Sequence, residues 1–297
     1  MTLARLENLT LRIPTRRGGR AAWVHAATDV GLELRAGRVH ALVGESGCGK
    51  SVIASVLQGL LPSGTRVHGR VEVDDTNLTG ALGHPRHRLW RSVRGRVVSL
   101  VPQSPATSFT PTRTIGSQLA EVLRALDDPR RPDELAALAE LPRWALAAHP
   151  HELSGGLVGR AALAAALAGT PRILVADEPT SALEPALADA VLARLRAQAD
   201  QGMAVLLISH DLSRLVDGDW ADDVSVMYAG RVVEQGAAHQ VWHEPEHDYT
   251  RALLAALPRN GLHPVAGDPP ELTDLDPSVS FRDRLQAESN KTAGGLP

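Results

Sequence analysis

Eight residues, GESGCGKS at 44–51, carry three glycines, one lysine and no bulky side chain, directly after the apolar run VHALV. They fit the spacing G-x-x-x-x-G-K-S, between a strand expected over 39–43 and a helix beginning near Lys50. Glycines let successive backbone N–H groups turn inward around phosphate oxygens, and the start of a helix adds a favourable dipole. Gly44, Glu45, Ser46, Gly47, Cys48, Gly49, Lys50 and Ser51 therefore form a candidate cradle for the phosphates of a nucleotide. Lys50 has the reach and charge for the β- and γ-phosphates, and the Ser51 hydroxyl is a suitable ligand for Mg²⁺. Cys48 reads as a small residue that the loop tolerates. Alternatively, a helix N-terminus and a nearby lysine would lower its pKa enough to make it alkylatable.

A second constellation lies in RILVADEPTSALE, residues 172–184, a strand ending in two carboxylates. Asp177 stands where a carboxylate would order a Mg²⁺ shell, and Glu178 where a base would polarise an attacking water. A third is HELSGG, residues 151–156, ahead of an Ala-rich helical pattern. There Ser154, Gly155 and Gly156 present a hydroxyl and bare N–H groups at a helix start, another anion-binding arrangement. Two phosphate-binding surfaces in one chain make sense only if they serve different nucleotides.

The elements that must position these groups read as α/β. RVHALVG, VVSLV, RILVAD and MAVLLIS are short apolar runs of the kind found in buried parallel strands. Helical patterns at roughly 50–61, 115–126, 157–168 and 185–200 separate them, which predicts a parallel sheet covered by helices. LENLTLRI (6–13) alternates like a half-buried strand, and PTRRGGR follows it as a turn-rich stretch. Residues 112–150 are Leu- and Ala-rich without a strand pattern and predict a small helical insertion. From Leu257 onward the chain is rich in Pro, Gly and Asp, which predicts a loosely packed tail.

With 297 residues the chain can bury a sizeable core, as one large domain or two modest ones. Its net charge of −3 lends no support to a nucleic-acid grip by bulk charge. Cys48 is the single cysteine, so no intramolecular disulfide is available and a reducing compartment is expected. The N-terminal stretch lacks the apolar core of a signal peptide, and AALAAALA (161–168) falls far short of the ~20 residues that span a bilayer. A soluble, cytoplasmic chain is expected, serving a membrane only through a partner. HPRH (84–87) and HEPEH (243–247) read as solvated loops, not metal ligands.

In this order, GESGCGKS, LVPQ, LSGG, LVADEPTSALE and LISHDL resemble the ATP-binding subunit of ABC transporters over about residues 3–285. The resemblance implies an ABC-type P-loop NTPase with a RecA-like parallel-sheet core, an antiparallel β subdomain and a small helical subdomain. It implies an ATPase domain over 1–257, with the helical subdomain inserted at about 104–162, and a C-terminal extension over 258–297. Two such subunits pair head to tail, each nucleotide lying between one subunit's phosphate loop and the other's LSGG, which resolves the double surface. By the same resemblance Gln103 is the lid glutamine that touches Mg²⁺ and senses the membrane partner. His210 is the switch histidine near the γ-phosphate, and Ser181 to Glu184 form the loop crossing the dimer interface.

LVPQSPATSFTP (100–111), VMYAGRVVEQG (226–236) and PEHDYTRALLAALP (245–258) are similar to the ATPases of dipeptide, oligopeptide and nickel importers. That similarity implies ATP and Mg²⁺ as ligands and two transmembrane permease subunits as partners. It also implies a second homologous ATPase, a heterodimer in preference to a homodimer, an extracytoplasmic solute-binding protein acting indirectly, and no nucleic acid. The chain would be peripheral, on the cytoplasmic face of the cell membrane. The alternatives are a soluble non-transport ABC ATPase and a nucleotide-gated regulatory subunit without turnover. Many of these extensions carry cysteines that hold an iron–sulfur centre; here Val279 and Leu285 stand at the first two such places, so no cluster is expected.

Some positions depart from the family pattern. Ile13 replaces the aromatic that usually stacks on adenine, and Trp23 is the nearest substitute, read equally as a packed or surface residue. LSGG is followed by LVGR, leaving Arg160 as its one polar neighbour, and the crossing loop reads SALE with Glu184 in place of aspartate. Phe109, beside Pro105 and Pro111, lies in a loop that the resemblance places at the permease groove. It reads either as an exposed interface anchor or as a core residue beneath its own loop.

Overall fold

The opening hairpin shows how a shift in strand parity buries both halves of an uneven pattern. In a computed structural model describing residues 1–181, 183–276 and 278–293, strand β1 (Thr2–Arg17) pairs antiparallel with β2 (Arg20–Arg35). Leu6 is buried at an even position, but Leu9 and Leu11 are buried at odd ones. A bulge between them, with Asn8 at φ +50°, moves the inward face by one residue. The stretch read as turn-rich, Pro14 to Arg17, is strand; the turn itself is confined to Gly18 and Gly19, both at positive φ. β4 (Arg66–Val73) and β5 (Thr76–Asn77) complete a four-stranded antiparallel sheet in the order β2-β1-β4-β5.

The second sheet holds the four expected buried strands, β3 (Val39–Val43), β6 (Val98–Val101), β7 (Ile173–Asp177) and β8 (Ala204–Ser209). They run parallel, joined by β9 (Asp223–Tyr228) and edged by antiparallel β10 (Arg231–Ala237), in the order β10-β9-β3-β8-β7-β6. β3 and β8 are buried at every position, as strands covered on both faces must be. Helix α1 (Lys50–Gln58) follows β3, and the short α2 (Trp90–Val93) precedes β6.

Residues 112–150 are helical, with α3 (Ile115–Ala125), α4 (Pro132–Leu138) and single 3₁₀ turns. In α3, Ile115, Leu119 and Leu123 bury one i, i+4 stripe, and the Thr114 hydroxyl accepts the Ser117 N–H to cap its start. This stripe shares a core with Leu135 of α4 and Ala161 of α5 (Gly155–Ala166). The remaining helices are α6 (Pro185–Asp200), α7 (Leu212–Gly218), α8 (Ala238–His243), α9 (Asp248–Ala255) and α10 (Phe281–Ala293).

The expected loose tail is instead docked. The His25 N–H donates to the Leu272 carbonyl at 2.8 Å, the Asp274 N–H donates to the Trp23 carbonyl at 2.8 Å, and Val24 bridges Thr273. Phe281 of α10 is buried against Tyr228 and Tyr249, with ring centroids 5.7 and 5.3 Å away. One aromatic on a polar helix leaves no periodic signal, yet it packs that helix against the body of the protein.

Candidate nucleotide site

The C-terminal ends of β3, β7 and β8 meet on one rim of the parallel sheet, and the loop at 44–51 lies there. Gly44 (φ +148°) and Gly49 (φ +110°) have no room for a side chain: a Cβ would stand 2.1 Å from the Met227 carbonyl oxygen and 2.3 Å from that of Ala26. The loop is thus pressed onto β9 and the hairpin, and the Gly230 N–H donates to the Cys48 carbonyl at 3.0 Å. Gly49 starts α1 without a side-chain cap, leaving the helix N-terminus open to an anion.

Lys50 is 5% exposed and its ammonium donates to the Gly44 and Glu45 carbonyls, each at 2.9 Å. The charge is therefore stored inside the loop on backbone oxygens. Ser51 Oγ donates to Asp177 Oδ1 at 3.2 Å, joining the loop to the end of β7. Burial raises the Asp177 pKa, with the Glu178 charge adding to the rise, while the Ser51 bond and Lys50 oppose it. Glu178 follows with its backbone at φ +51° and its N–H donating to the Ile208 carbonyl at 2.9 Å. Its carboxylate is buried, and His210 Nδ1 lies 2.5 Å from Glu178 Oε2. His210 itself is mostly exposed, on the turn between β8 and α7.

The other expected residues lie outside this hydrogen-bonded set. Gln103 is exposed two residues beyond Val101, which pairs with Ala176, so it projects from the same rim as Asp177. Ser154 stands at the N-cap position of α5 without a side-chain capping bond and is exposed with Gly155, whereas Gly156 is buried against Leu187. Among the described residues no hydrogen bond joins Ser154, Gly155 or Gly156 to the loop at 44–51. Ser181 and Glu184 are exposed at the start of α6; Ala182, between them, lies outside the described residues. Ser46 and Gly47 are exposed on the crest of the loop.

Several expectations change. Cys48 is buried, and burial raises its thiol pKa against the pull of Lys50, so the alkylatable reading does not hold. Phe109 is 7% exposed and belongs to the core that contains Ile115 and Val158, so it is no surface anchor. Trp23 is half-buried with the Arg66 guanidinium 4.2 Å from its ring centroid and Asp274 bonded to its backbone, so that face is already covered. Arg160 donates to the Glu140 carbonyl at 2.9 Å and ties α5 to the helical insertion. Two residues that no site motif marks also touch the loop: Tyr249, whose hydroxyl accepts the Glu45 N–H at 3.0 Å, and Arg284, paired with the Glu45 carboxylate.

The family profile described as "ABC transporter" matches residues 27–181. The chain belongs to the ABC transporter family. Residues 233–290 match a second profile, "Oligopeptide/dipeptide transporter, C-terminal region". The chain is 38% identical over 280 residues to the probable D,D-dipeptide transport ATP-binding protein of Escherichia coli (strain K12), covering 89% of this chain and 84% of that one. It is 36% identical to the dipeptide transport ATP-binding protein of Bacillus subtilis (strain 168), covering 88% and 81% respectively. Its fold is that of solved ABC cassettes: a dimeric bacterial ABC transporter cassette matches with a TM-score of 0.65 at 23% identity, over 79% of this chain and 98% of that one. A nucleotide-free ATP-binding cassette from an ABC transporter matches with a TM-score of 0.63 at 20% identity, over 87% and 97%. In this ABC protein, no helix among the described residues is long and apolar enough to cross a membrane.

Proposed function

We propose that this chain is the ATP-binding and ATP-hydrolysing subunit of an importer for peptides or a related small solute. The observation that carries the reading is the continuous set on one sheet rim: Lys50 held by the loop, Ser51 bonded to Asp177, and Glu178 bonded to His210. The two relatives point to the solute class, since one is a probable D,D-dipeptide transport ATP-binding protein and the other a dipeptide transport ATP-binding protein.

The residues present fit a Mg²⁺-bound triphosphate. A cradle in which a Cβ at Gly44 or Gly49 would strike backbone admits phosphate to bare N–H groups, and Ser51 with Asp177 offers oxygen ligands. Held there, Mg²⁺ would supply positive charge that offsets the charge of the phosphate oxygens. Lys50 exchanges the Gly44 and Glu45 carbonyls for phosphate oxygens. Glu178 has one oxygen committed to His210 and the other, Oε1, to accept a proton from the attacking water. His210 steadies that carboxylate and, by resemblance, the γ-phosphate, and Gln103 supplies a further oxygen ligand from the same rim. The chain's contribution is positioning and electrostatics.

Ser154, Gly155 and Gly156 serve a nucleotide bound to a partner ATPase, which accords with the exposure of Ser154 and Gly155 and with the separation of all three from the chain's own loop. That partner is a second homologous subunit, and both engage two permease subunits on the cytoplasmic face of the membrane. An external solute-binding protein delivers the cargo. The ATPase unit spans 1–257 with the helical insertion at about 104–162, and 258–297 forms the extension. Titration of the purified chain with MgATP tests the binding step: the wild type should bind, and Lys50→Ala should lose affinity by about a hundredfold, as for a buried charge removed from its phosphate. Equal binding by both proteins would overturn the assignment of the loop.

A further inference from the structure

The phosphate loop is braced from the C-terminal extension, at a single residue. Glu45, the second residue of the loop, has its N–H, carbonyl and carboxylate all engaged. The N–H donates to the Tyr249 hydroxyl at 3.0 Å, and the carbonyl accepts from Lys50 Nζ at 2.9 Å. The carboxylate takes two bonds from Arg284: Nη1 to Oε2 at 2.6 Å and Nη2 to Oε1 at 3.1 Å. Arg284 lies 239 residues further along the chain, on α10, and only 5% of its side chain is exposed. Its Nη2 also donates to the Gly267 carbonyl at 2.7 Å, so both the helix and the segment before it hold the guanidinium. The ring of Phe281, one turn earlier on α10, sits against Tyr249 and fixes the helix where Arg284 can reach.

Two physical consequences follow. A carboxylate within a loop built to gather anions would repel a polyphosphate, and the repulsion is stronger where water is partly excluded. Arg284 removes that charge with a two-point pair that also fixes the orientation of Glu45. The same residue's carbonyl holds the Lys50 ammonium, so the orientation of the Glu45 peptide sets where that ammonium waits before nucleotide arrives. A loop held in its binding shape loses less conformational freedom on binding.

We propose that Arg284 is a positioning residue for nucleotide binding: by neutralising and orienting Glu45, the C-terminal extension pre-sets the loop at 44–51 and Lys50 for the polyphosphate of MgATP. This rests on the reading of that loop as the MgATP site. It gives the extension a part in the ATPase site of its own subunit, and Tyr249 supports the same residue from α9.

Full-length wild type, Arg284→Gln, Arg284→Lys, Glu45→Gln and the double variant Arg284→Gln/Glu45→Gln would be titrated with MgATP, with melting temperature recorded for each. Arg284→Gln should bind about tenfold more weakly, the scale of one charge-assisted hydrogen bond. In the assembled transporter the loss should appear in KM, with kcat little changed. Arg284→Lys, which keeps the charge and loses the two-point geometry, should fall between the wild type and Arg284→Gln. The decisive arm is the double variant: with the Glu45 charge gone, affinity should return to within about threefold of wild type. A merely structural anchor predicts the reverse, a double variant as weak as Arg284→Gln or weaker, and that result overturns the proposal. If Arg284→Gln fails to fold, Arg284→Lys decides in its place, wild-type affinity counting against the proposal. A wild type that does not bind MgATP removes the loop assignment and the proposal together; wild-type binding with an indifferent Arg284→Gln removes the proposal alone.

Discussion

Glu178→Gln separates binding from chemistry at this site. The residue is 8% exposed and its Oε2 lies 2.5 Å from His210 Nδ1. Glutamine keeps the volume and an oxygen that can accept the His210 Nδ1–H; the negative charge and the capacity to take a proton are lost. Loss of a positioned base costs roughly 10²–10⁴ in rate, which is about 3–5 kcal/mol of barrier. Binding should persist, because Lys50, Ser51 and Asp177 keep their contacts. Asp177 also loses a like-charged neighbour that raises its pKa, so it stays ionised more readily beside Ser51. The assay pairs equilibrium MgATP binding with phosphate release at saturating MgATP in the assembled transporter. Wild-type affinity with turnover at least a hundredfold lower is expected. Turnover within about threefold of wild type would refute the assignment of Glu178 as base.

Three other perturbations test the surrounding structure. His40 is buried at the centre of the sheet with Nε2 2.8 Å from Ser225 Oγ, and burial lowers its pKa from 6.5 to about 4. The unfolded chain therefore binds the extra proton first on acidification: stability is complete above pH 6.5 and falls toward pH 4, by about 2 kcal/mol at pH 5 from this group, and His40→Gln should flatten that part of a melting-temperature profile. Phe109→Ala empties a core position and should cost about 3–5 kcal/mol in denaturant unfolding; an unchanged midpoint would return Phe109 to the surface. Gly49→Ala places a methyl 2.3 Å from the Ala26 carbonyl oxygen at φ +110° and should abolish MgATP binding while lowering the melting temperature.

Where local pattern carries the structural cause, the sequence was readable. The four apolar runs are strands because both faces of the central sheet are covered, and the loop at 44–51 has its glycines where backbone crowds it. Helix α5 begins at Gly155, two residues before the expected start, because Gly155 and Gly156 have no side chains to enter the apolar period. Pro14 to Arg17 have turn composition, a proline and three polar residues before two glycines, but they pair across a two-glycine turn at the hairpin tip. Phe109 has the Pro, Ser and Thr neighbours of an exposed loop, yet it is buried in the core it shares with α5. The docking of the extension was illegible for a different reason. It depends on one ring and one guanidinium finding partners across the chain, with Glu45 and Tyr249, and no local window contains both sides of those contacts.

Reconstitution tests the central claim most directly. Vesicles carrying this chain with its permease subunits and partner ATPase would receive MgATP on the ATPase side and a labelled peptide with its binding protein on the other. Phosphate release and peptide accumulation should rise together with the wild type, and both should fall to background with Lys50→Ala. Peptide accumulation that proceeds with ATP left intact, or phosphate release and accumulation that survive Lys50→Ala, would contradict the account.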